Sequence, residues 1–147
     1  MSGAVTFSVP GLPAPQGSKR AFVIKGTGRA VMVEDNARTK PWRVDVALIA
    51  QHAMQGREML TGPLVAVFTF TLPRPKSHYR GGDPARDLRA SAPSHRDAKP
   101  DADKLYRAVG DALTGIVYYD DAQLADVRVV KRYGFAPGLS AEIAELE

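Results

Sequence analysis

The segment from Lys99 to Gln123 concentrates acidic side chains in a chain that is otherwise basic. Its sequence is KPDADKLYRAVGDALTGIVYYDDAQ, with aspartates at positions 101, 103, 111, 120 and 121. Unpaired carboxylates repel one another, so such a cluster needs basic side chains or a metal ion as its counter-charge. Carboxylate oxygens suit a hard divalent cation such as Mg²⁺, which activates water and stabilises negative charge on phosphate oxygens during hydrolysis.

Two of these aspartates also have a structural interpretation. Asp101 follows a proline, so it is a natural N-cap for the helix that begins next, and Asp103 falls in the first turn, where the helix dipole favours negative charge. An N-cap needs only one carboxylate, however, and the pair Asp120-Asp121 follows an apolar run. If that run packs beside the start of the helix, Asp101, Asp103 and one member of the pair converge on a metal ion.

A stripe of mixed charge follows on the same helix. Asp103, Arg107 and Asp111 are spaced at i, i+4 and i+8. They form solvated ion pairs worth a few tenths of a kcal/mol each (about 0.2–0.5), or Arg107 binds the phosphate that is cut. Lys104 is three residues from Arg107 and can reach the same side. We expect Asp111 to pair with Arg107 rather than to bind metal.

The elements that position these residues are both strands and helices. Alternating or β-branched runs predict strands at Val5–Val9 and Leu64–Leu72, and a hairpin made of AFVIK and RAVMVE. Apolar residues at helical spacing, from Trp42 to Ala53, predict one helix that has Pro41 in its first turn and ends near Gly56. They predict another helix from about Ala102 to Leu113. IVYYDD and ADVRVVKRYGF read as strands, whereas the tail SAEIAELE is undecided between strand and helix. Together they predict one α+β domain over residues 1–147.

A segment of nearly 28 residues, approximately 73–100, lacks any convincing periodicity and is rich in basic side chains. A loop this long is usually functional or mobile. Two interpretations stay open. Either the loop contacts phosphate and becomes ordered on binding, or it is simply disordered. The net charge of +4 and the pI of about 9.5 mildly favour a polyanionic partner. The candidates for phosphate contact include Lys19, Arg20, Arg74, Lys76 and Arg80, and a solvated basic face is the alternative.

Composition excludes several classes of protein. The chain contains no cysteine, so disulfides, thiolate nucleophiles and cysteine-based zinc sites are excluded. We see no signal peptide and no apolar run of the roughly 20 residues that a membrane-spanning helix needs. We therefore expect a cytoplasmic protein without a membrane partner.

The acidic segment resembles the signature of the RusA-type Holliday junction resolvases, which phages and prophages often encode. That pattern is close to K-P-D-x-D-N-x-x-K-x-x-x-D-A-L, followed by D-D-x-Q and a strand that carries Lys. This chain matches it from Lys99 to about Lys131. The stretches PGLPAPQGSKR and TFTLPRPKSH also fit the family's framing.

The resemblance implies a small mixed β-sheet packed against two main helices, and a homodimeric, Mg²⁺-dependent nuclease that cuts paired strands of four-way DNA junctions. Mn²⁺ is a plausible substitute for the metal. The family's metal-binding carboxylates correspond to Asp101, Asp103 and Asp121. Further DNA contacts are expected from Arg96, Lys99 and Lys131. The location implied is the cytoplasm of a bacterial or phage-infected cell.

The chain departs from the family pattern at two positions. Lys104 replaces the family's asparagine, and Arg107 replaces its catalytic lysine. Arginine keeps a fixed charge and can grip phosphate with two N–H groups, but it does not exchange a proton near neutral pH. If this position only stabilises charge, activity survives; if it must exchange a proton, either Lys104 takes over that role or activity is lost. Two alternatives to junction resolution therefore remain, a nuclease for flaps or other branched DNA and a junction-binding protein that does not cut.

Overall fold

The computed structural model describes residues 3–17, 19–23, 25–34 and 37–147. Its helices and strands are, in chain order, β1 (Val5–Pro10), β2 (Lys19–Val23), β3 (Ala30–Glu34), α1 (Thr39–Ala53), β4 (Leu64–Leu72), α2 (Ala102–Leu113), β5 (Leu124–Tyr133) and β6 (Gly138–Glu145). Short 3₁₀ turns lie at Lys76–His78, Arg80–Gly82 and Asp121–Gln123.

The main sheet has four strands in the order β1-β6-β4-β5. Strand β6 pairs antiparallel with β1 on one side and with β4 on the other, whereas β4 and β5 are parallel. Strands β2 and β3 form a separate antiparallel hairpin. The mixed sheet and the two helices confirm the predicted α+β fold, and the predicted hairpin is confirmed as well.

Strand β4 lies at the centre of this sheet and supplies much of the core. Its residues alternate between buried and half-buried, with Leu64, Ala66, Phe68, Phe70 and Leu72 on the buried face. A period of two places every second side chain on one side of the sheet, so the apolar face lies beneath the helices. The prediction of a strand over Leu64–Leu72 is confirmed residue for residue.

Both helices bury an apolar stripe against this face. On α2 the buried residues include Leu105, Val109 and Leu113, and the helix has the predicted bounds. On α1 they include Trp42 and Val46, and α1 contacts both α2 and β1. Across the described ranges, no helix combines the length and the apolar character that crossing a bilayer would take.

Two segments near the carboxyl end differ from their predicted structure. The run IVYYDD does not form a strand, because Tyr118 makes only isolated bridges with Leu60 and Thr114 before the 3₁₀ turn begins. Its hydroxyl donates a hydrogen bond to the carbonyl of Gly110 at 2.9 Å, which ties this segment to α2 instead of to the sheet. The undecided tail is a strand, β6, with a partner on each side.

The long basic segment packs back on β5 through its own arginines. The Arg74 guanidinium lies 4.4 Å from the centre of the Tyr133 ring and donates to the carbonyl of Pro93 at 2.7 Å. Arg89 donates to the carbonyl of Tyr79 at 3.0 Å. These contacts hold the segment against the end of β5, at Tyr133. Whether it moves when DNA binds stays a prediction.

Replacing Gly138 by alanine is expected to destabilise the pairing of β6 with β1. A Cβ atom at this position would lie 2.6 Å from the backbone carbonyl oxygen of Val9, which cannot move without distorting β1. We expect the Gly138→Ala variant to lose about 1–3 kcal/mol of unfolding free energy. The measurement is the urea midpoint at unchanged slope. Ser140→Ala, at an exposed position of the same strand, is the control and should leave the midpoint unchanged; equal midpoints for both variants would contradict the prediction.

Candidate active site

The carboxylate of Asp101 stands at the start of α2 without capping it. Asp101 occupies the predicted N-cap position with extended backbone angles, but its side chain makes no capping hydrogen bond to the helix. Instead, its two oxygens lie 3.9 Å from the ammonium groups of Lys99 and Lys104, respectively. The side chain is 44% exposed. Helix capping therefore does not account for this aspartate, and its carboxylate is accessible to a ligand.

Three charged residues follow along the exposed side of α2. Asp103 and Arg107 are both exposed and lie one turn apart. Asp111 lies 3.8 Å from the guanidinium of Arg43 on α1. The expected ion pair between Asp111 and Arg107 is therefore wrong, because the neighbouring helix supplies the cation. This leaves Arg107 outside the ion pairs formed among the described residues.

In the motif Asp120-Asp121-Ala122-Gln123, two polar side chains form hydrogen bonds within the fold and the third, that of Asp121, is exposed. The carboxylate of Asp120 accepts from the backbone N–H of Ala122 at 2.9 Å. The Gln123 side chain accepts from the N–H of Asp120 at 3.0 Å and donates to the carbonyls of Leu60 and Gly62 at 3.3 and 3.1 Å. Asp120 and Gln123 thus form a reciprocal cap on the 3₁₀ turn. The sequence did not predict that Gln123 positions this turn, although its place in the D-D-x-Q motif could have indicated such a role.

Asp121, in contrast, is exposed and faces α2 in a repulsive environment. Desolvation raises the pKa of its carboxyl group, and the adjacent Asp120 carboxyl and the charge of Asp111 raise it further; a backbone hydrogen bond opposes them. The pKa values of Tyr106 and Tyr118 are raised first by burial and then in part by the negative charge of Asp121. The 3₁₀ turn that contains Asp121 contacts α2, so Asp121 lies beside this helix.

The predicted metal ligands are chemically suited to a hard cation, but this structure does not gather three of them. In the described ranges, no three acidic or histidine side chains come close enough to hold a metal ion. The α2 carboxylate that acts on Asp121 belongs to Asp111, about two turns beyond Asp103 along the helix. The carboxylate oxygens are therefore suitable ligands for a divalent ion, but Asp101, Asp103 and Asp121 are not close enough together in this structure to share one.

Lys131, for which a DNA contact stays a prediction, makes structural hydrogen bonds in the free protein. Its ammonium group donates to the carbonyl of Ala98 at 2.9 Å and to that of Pro100 at 3.1 Å. Both carbonyls belong to the chain that leads into Asp101, and Lys131 projects from β5. The lysine thereby ties the start of α2 to the edge strand of the sheet.

The other predicted DNA-binding residues are found in three settings. Lys76, Arg80 and Lys99 are exposed. Arg74 and Arg96 are half-buried, with Arg74 held by Pro93 and Tyr133, and with Arg96 donating to the carbonyl of Lys99. Lys19 and Arg20 belong to β2, and their side chains lie outside the described part of the structure. Of this set, Arg96 and Lys99 lie next to Asp101, in one groove.

Asp121→Asn is expected to stabilise the metal-free protein at neutral pH. A carboxyl group whose pKa is raised on folding favours the folded state when it is protonated, and this contribution is lost as the pH rises through the raised pKa. The amide removes that loss, so the variant should melt above the wild type at pH 7. The difference should vanish as the pH falls through the pKa of Asp121. Thermal unfolding in EDTA between pH 3 and 8 measures it.

The neighbouring residue provides a control of opposite sign. Asp120→Ala removes the acceptor for the Ala122 N–H, and losing a capping side chain costs about 1 kcal/mol. Part of this loss is offset, because the substitution also removes a carboxyl group that raises the pKa of Asp121. This variant should melt below the wild type at pH 7. If Asp121→Asn also lowered the melting temperature at pH 7, the repulsive environment inferred for Asp121 would be wrong.

Comparisons with known proteins show the family to which this chain is similar. The family model described as Endodeoxyribonuclease RusA matches residues 10–144, which include both acidic motifs and Lys131. The chain is also 31% identical over 143 residues to the uncharacterized protein YqaN of Bacillus subtilis (strain 168), and that match covers 97% of this chain and 96% of the relative. Because the family match spans nearly the whole chain, this protein belongs to the RusA endodeoxyribonuclease family.

Proposed function

We propose that this protein is a Mg²⁺-dependent endonuclease that resolves four-way DNA junctions by hydrolysing one phosphodiester bond in each of two strands. Membership of the endodeoxyribonuclease family supports DNA hydrolysis. The observation that carries the proposal is the carboxylate of Asp101, which stands at the start of α2, makes no capping hydrogen bond and has two lysines 3.9 Å away. A carboxylate that is held in place but not used by the fold is suited to catalysis.

The proposed metal ligands are Asp101, Asp103 and Asp121, with Mn²⁺ as a plausible substitute for Mg²⁺. When bound, the ion would supply an activated water and stabilise charge on the phosphate. Because the described residues hold no ready group of three ligands, Asp121 has to approach the start of α2, or a second subunit has to contribute a ligand, before the ion is shared. An oxygen-only donor set supports a hard cation over zinc or copper.

The cations around the carboxylates supply charge to the phosphate. Arg107 is exposed one turn from Asp103 and can bind two phosphate oxygens through its planar guanidinium. Lys104, held 3.9 Å from Asp101, is the nearby group that can exchange a proton. We therefore assign charge stabilisation to Arg107 and leave proton exchange, if the reaction needs it, to Lys104.

Substrate binding follows from the basic residues outside the carboxylate cluster. Contacts from exposed lysines and arginines to the DNA backbone give an affinity that depends on salt and little on sequence. The residues proposed for these contacts are Lys19, Arg20, Arg74, Lys76, Arg80, Arg96 and Lys99. A symmetric homodimer, which we also propose, would present two sites to two strands of one junction and so produce paired cuts.

A labelled four-way junction incubated with the protein and Mg²⁺ tests this function. Paired nicks support junction resolution, whereas single nicks on a flap substrate support a nuclease for other branched DNA. A gel shift without any product supports a junction-binding protein that does not cut. EDTA provides the metal-free control.

Asp121→Asn should abolish cutting and preserve or tighten junction binding. The substitution removes a proposed metal ligand, and it also removes a negative charge that repels phosphate. The cutting assay and a gel shift, run on the same variant, separate the two effects. A variant that still cuts at the wild-type rate would show that Asp121 is not required for the chemistry.

Lys131→Met should lower the cutting rate without changing how junction binding depends on salt. The ammonium of Lys131 contacts the carbonyls of Ala98 and Pro100, so its loss loosens the approach to Asp101 but removes no phosphate contact. The matched control is Lys99→Met, because the Lys99 side chain is 85% exposed. That control should reduce the slope of log affinity against log salt by about 0.9. If both variants changed the slope equally, this result would contradict the prediction and support a direct contact between Lys131 and DNA.

A further inference from the structure

An open groove of about 840 Å³ lies directly beside Asp101 and is not explained by hydrolysis alone. Its volume falls within the range of about 300–1,000 Å³ that is typical of sites for small organic ligands. One part of its lining is apolar and includes Leu12, Pro13, Pro15, Leu72, Pro73 and Pro100. No local sequence pattern predicts this groove, because its walls come from segments that are far apart in the chain.

The proline-rich wall is fixed by hydrogen bonds to both helices. The backbone N–H of Gln16 donates to the carbonyl of Lys104 at 2.9 Å, and the hydroxyl of Thr39 donates to the carbonyl of Pro15 at 2.6 Å. Arg38 donates to the carbonyl of Leu12 at 2.7 Å. Proline has a restricted backbone, so this wall loses little further freedom when a ligand binds. The groove is therefore a preformed site.

The rim of the groove has the opposite character. Arg96, Lys99 and Lys104 lie along it near Asp101, which is the one acid among the described residues that line the groove. The Lys99 side chain is largely exposed. An excess of positive charge beside an apolar floor favours a ligand with a flat apolar part and an anionic part. In DNA, a base with its phosphate has both.

We propose that this groove receives an unstacked nucleotide of branched DNA, with its base on the proline floor and its phosphate at the cationic rim. A base inside a duplex has both faces covered, and taking it out costs a few kcal/mol. At a branch point this cost is smaller, because stacking is already interrupted. The groove would thus select branched over continuous duplex DNA and place the strand next to Asp101. This inference rests on the proposed function, since it assumes a DNA substrate.

The test uses a four-way junction with 2-aminopurine at the branch point, bound to the full chain in EDTA so that no strand is cut. Fluorescence of this base analogue rises when it leaves the stack, so wild-type protein should increase it. The same analogue in the middle of a plain duplex should show no increase. A missing increase at the branch point would overturn the proposal.

Two leucines provide matched variants. Leu12 lines the groove and is 42% exposed, whereas Leu48 on α1 is 58% exposed and does not line it. Leu12→Asp places a negative charge on the floor and should abolish the fluorescence increase and weaken junction binding about tenfold. Leu48→Asp should leave both unchanged. Equal behaviour of the two variants, with their melting temperatures as a check on folding, would overturn the proposal.

An abasic nucleotide at the branch point gives an independent measurement on the wild-type protein. It keeps the phosphate and removes the base, so it should weaken wild-type binding and cause no further loss in Leu12→Asp. Equal losses in both proteins would overturn the proposal. The cutting assay tests the proposed function separately. If the wild type cuts junctions without any fluorescence increase, only the proposal that the groove binds a nucleotide is contradicted. If the fluorescence increases without cutting, only the proposed nuclease activity is contradicted.

Discussion

Electrostatic repulsion between carboxylates is the constraint on which this site depends. The fold supplies cations to two of the five aspartates of the segment from Lys99 to Gln123, with Lys99 and Lys104 at Asp101 and Arg43 at Asp111. Asp121 is treated differently, because desolvation and its acidic neighbours raise its pKa. A carboxylate held against repulsion in this way lowers the stability of the folded protein at neutral pH and gains most from a bound cation.

The parallel pairing of β4 and β5 determines where that carboxylate lies. Parallel strands begin at the same edge of a sheet, so the chain that enters β4 and the 3₁₀ turn that enters β5 are neighbours. Gln123 joins them through its bonds to the carbonyls of Leu60 and Gly62. Asp120 completes the turn, and Asp121 is left facing α2. Sheet topology thus accounts for the different roles of two adjacent aspartates.

Local patterns predicted the elements well and their mutual contacts poorly. Periodicity was sufficient for β4 and α2, because each buries one regular face along its whole length. It was insufficient for IVYYDD, where Tyr118 is buried by packing against α2 at Gly110, a contact that no local alternation encodes. The partner of Asp111 and the hydrogen bonds of Lys131 were not predicted, for the same reason. Each depends on a residue from a distant element, either Arg43 or the carbonyls before α2.

The groove and the carboxylates make opposite electrostatic demands on the same phosphate. Lys99 and Lys104 attract it, but the same two lysines lie 3.9 Å from Asp101, so each is partly neutralised in the free protein. A cation bound by Asp101 would release the lysines towards the DNA, and a phosphate bound by the lysines would free the carboxylate for the cation. Binding free energies are reciprocal, so each ligand must strengthen the other by the same factor. If the proposed metal ion and branched DNA both bind at this site, they would bind as a coupled pair, with the exchange of partners at Asp101 as the physical origin of the coupling.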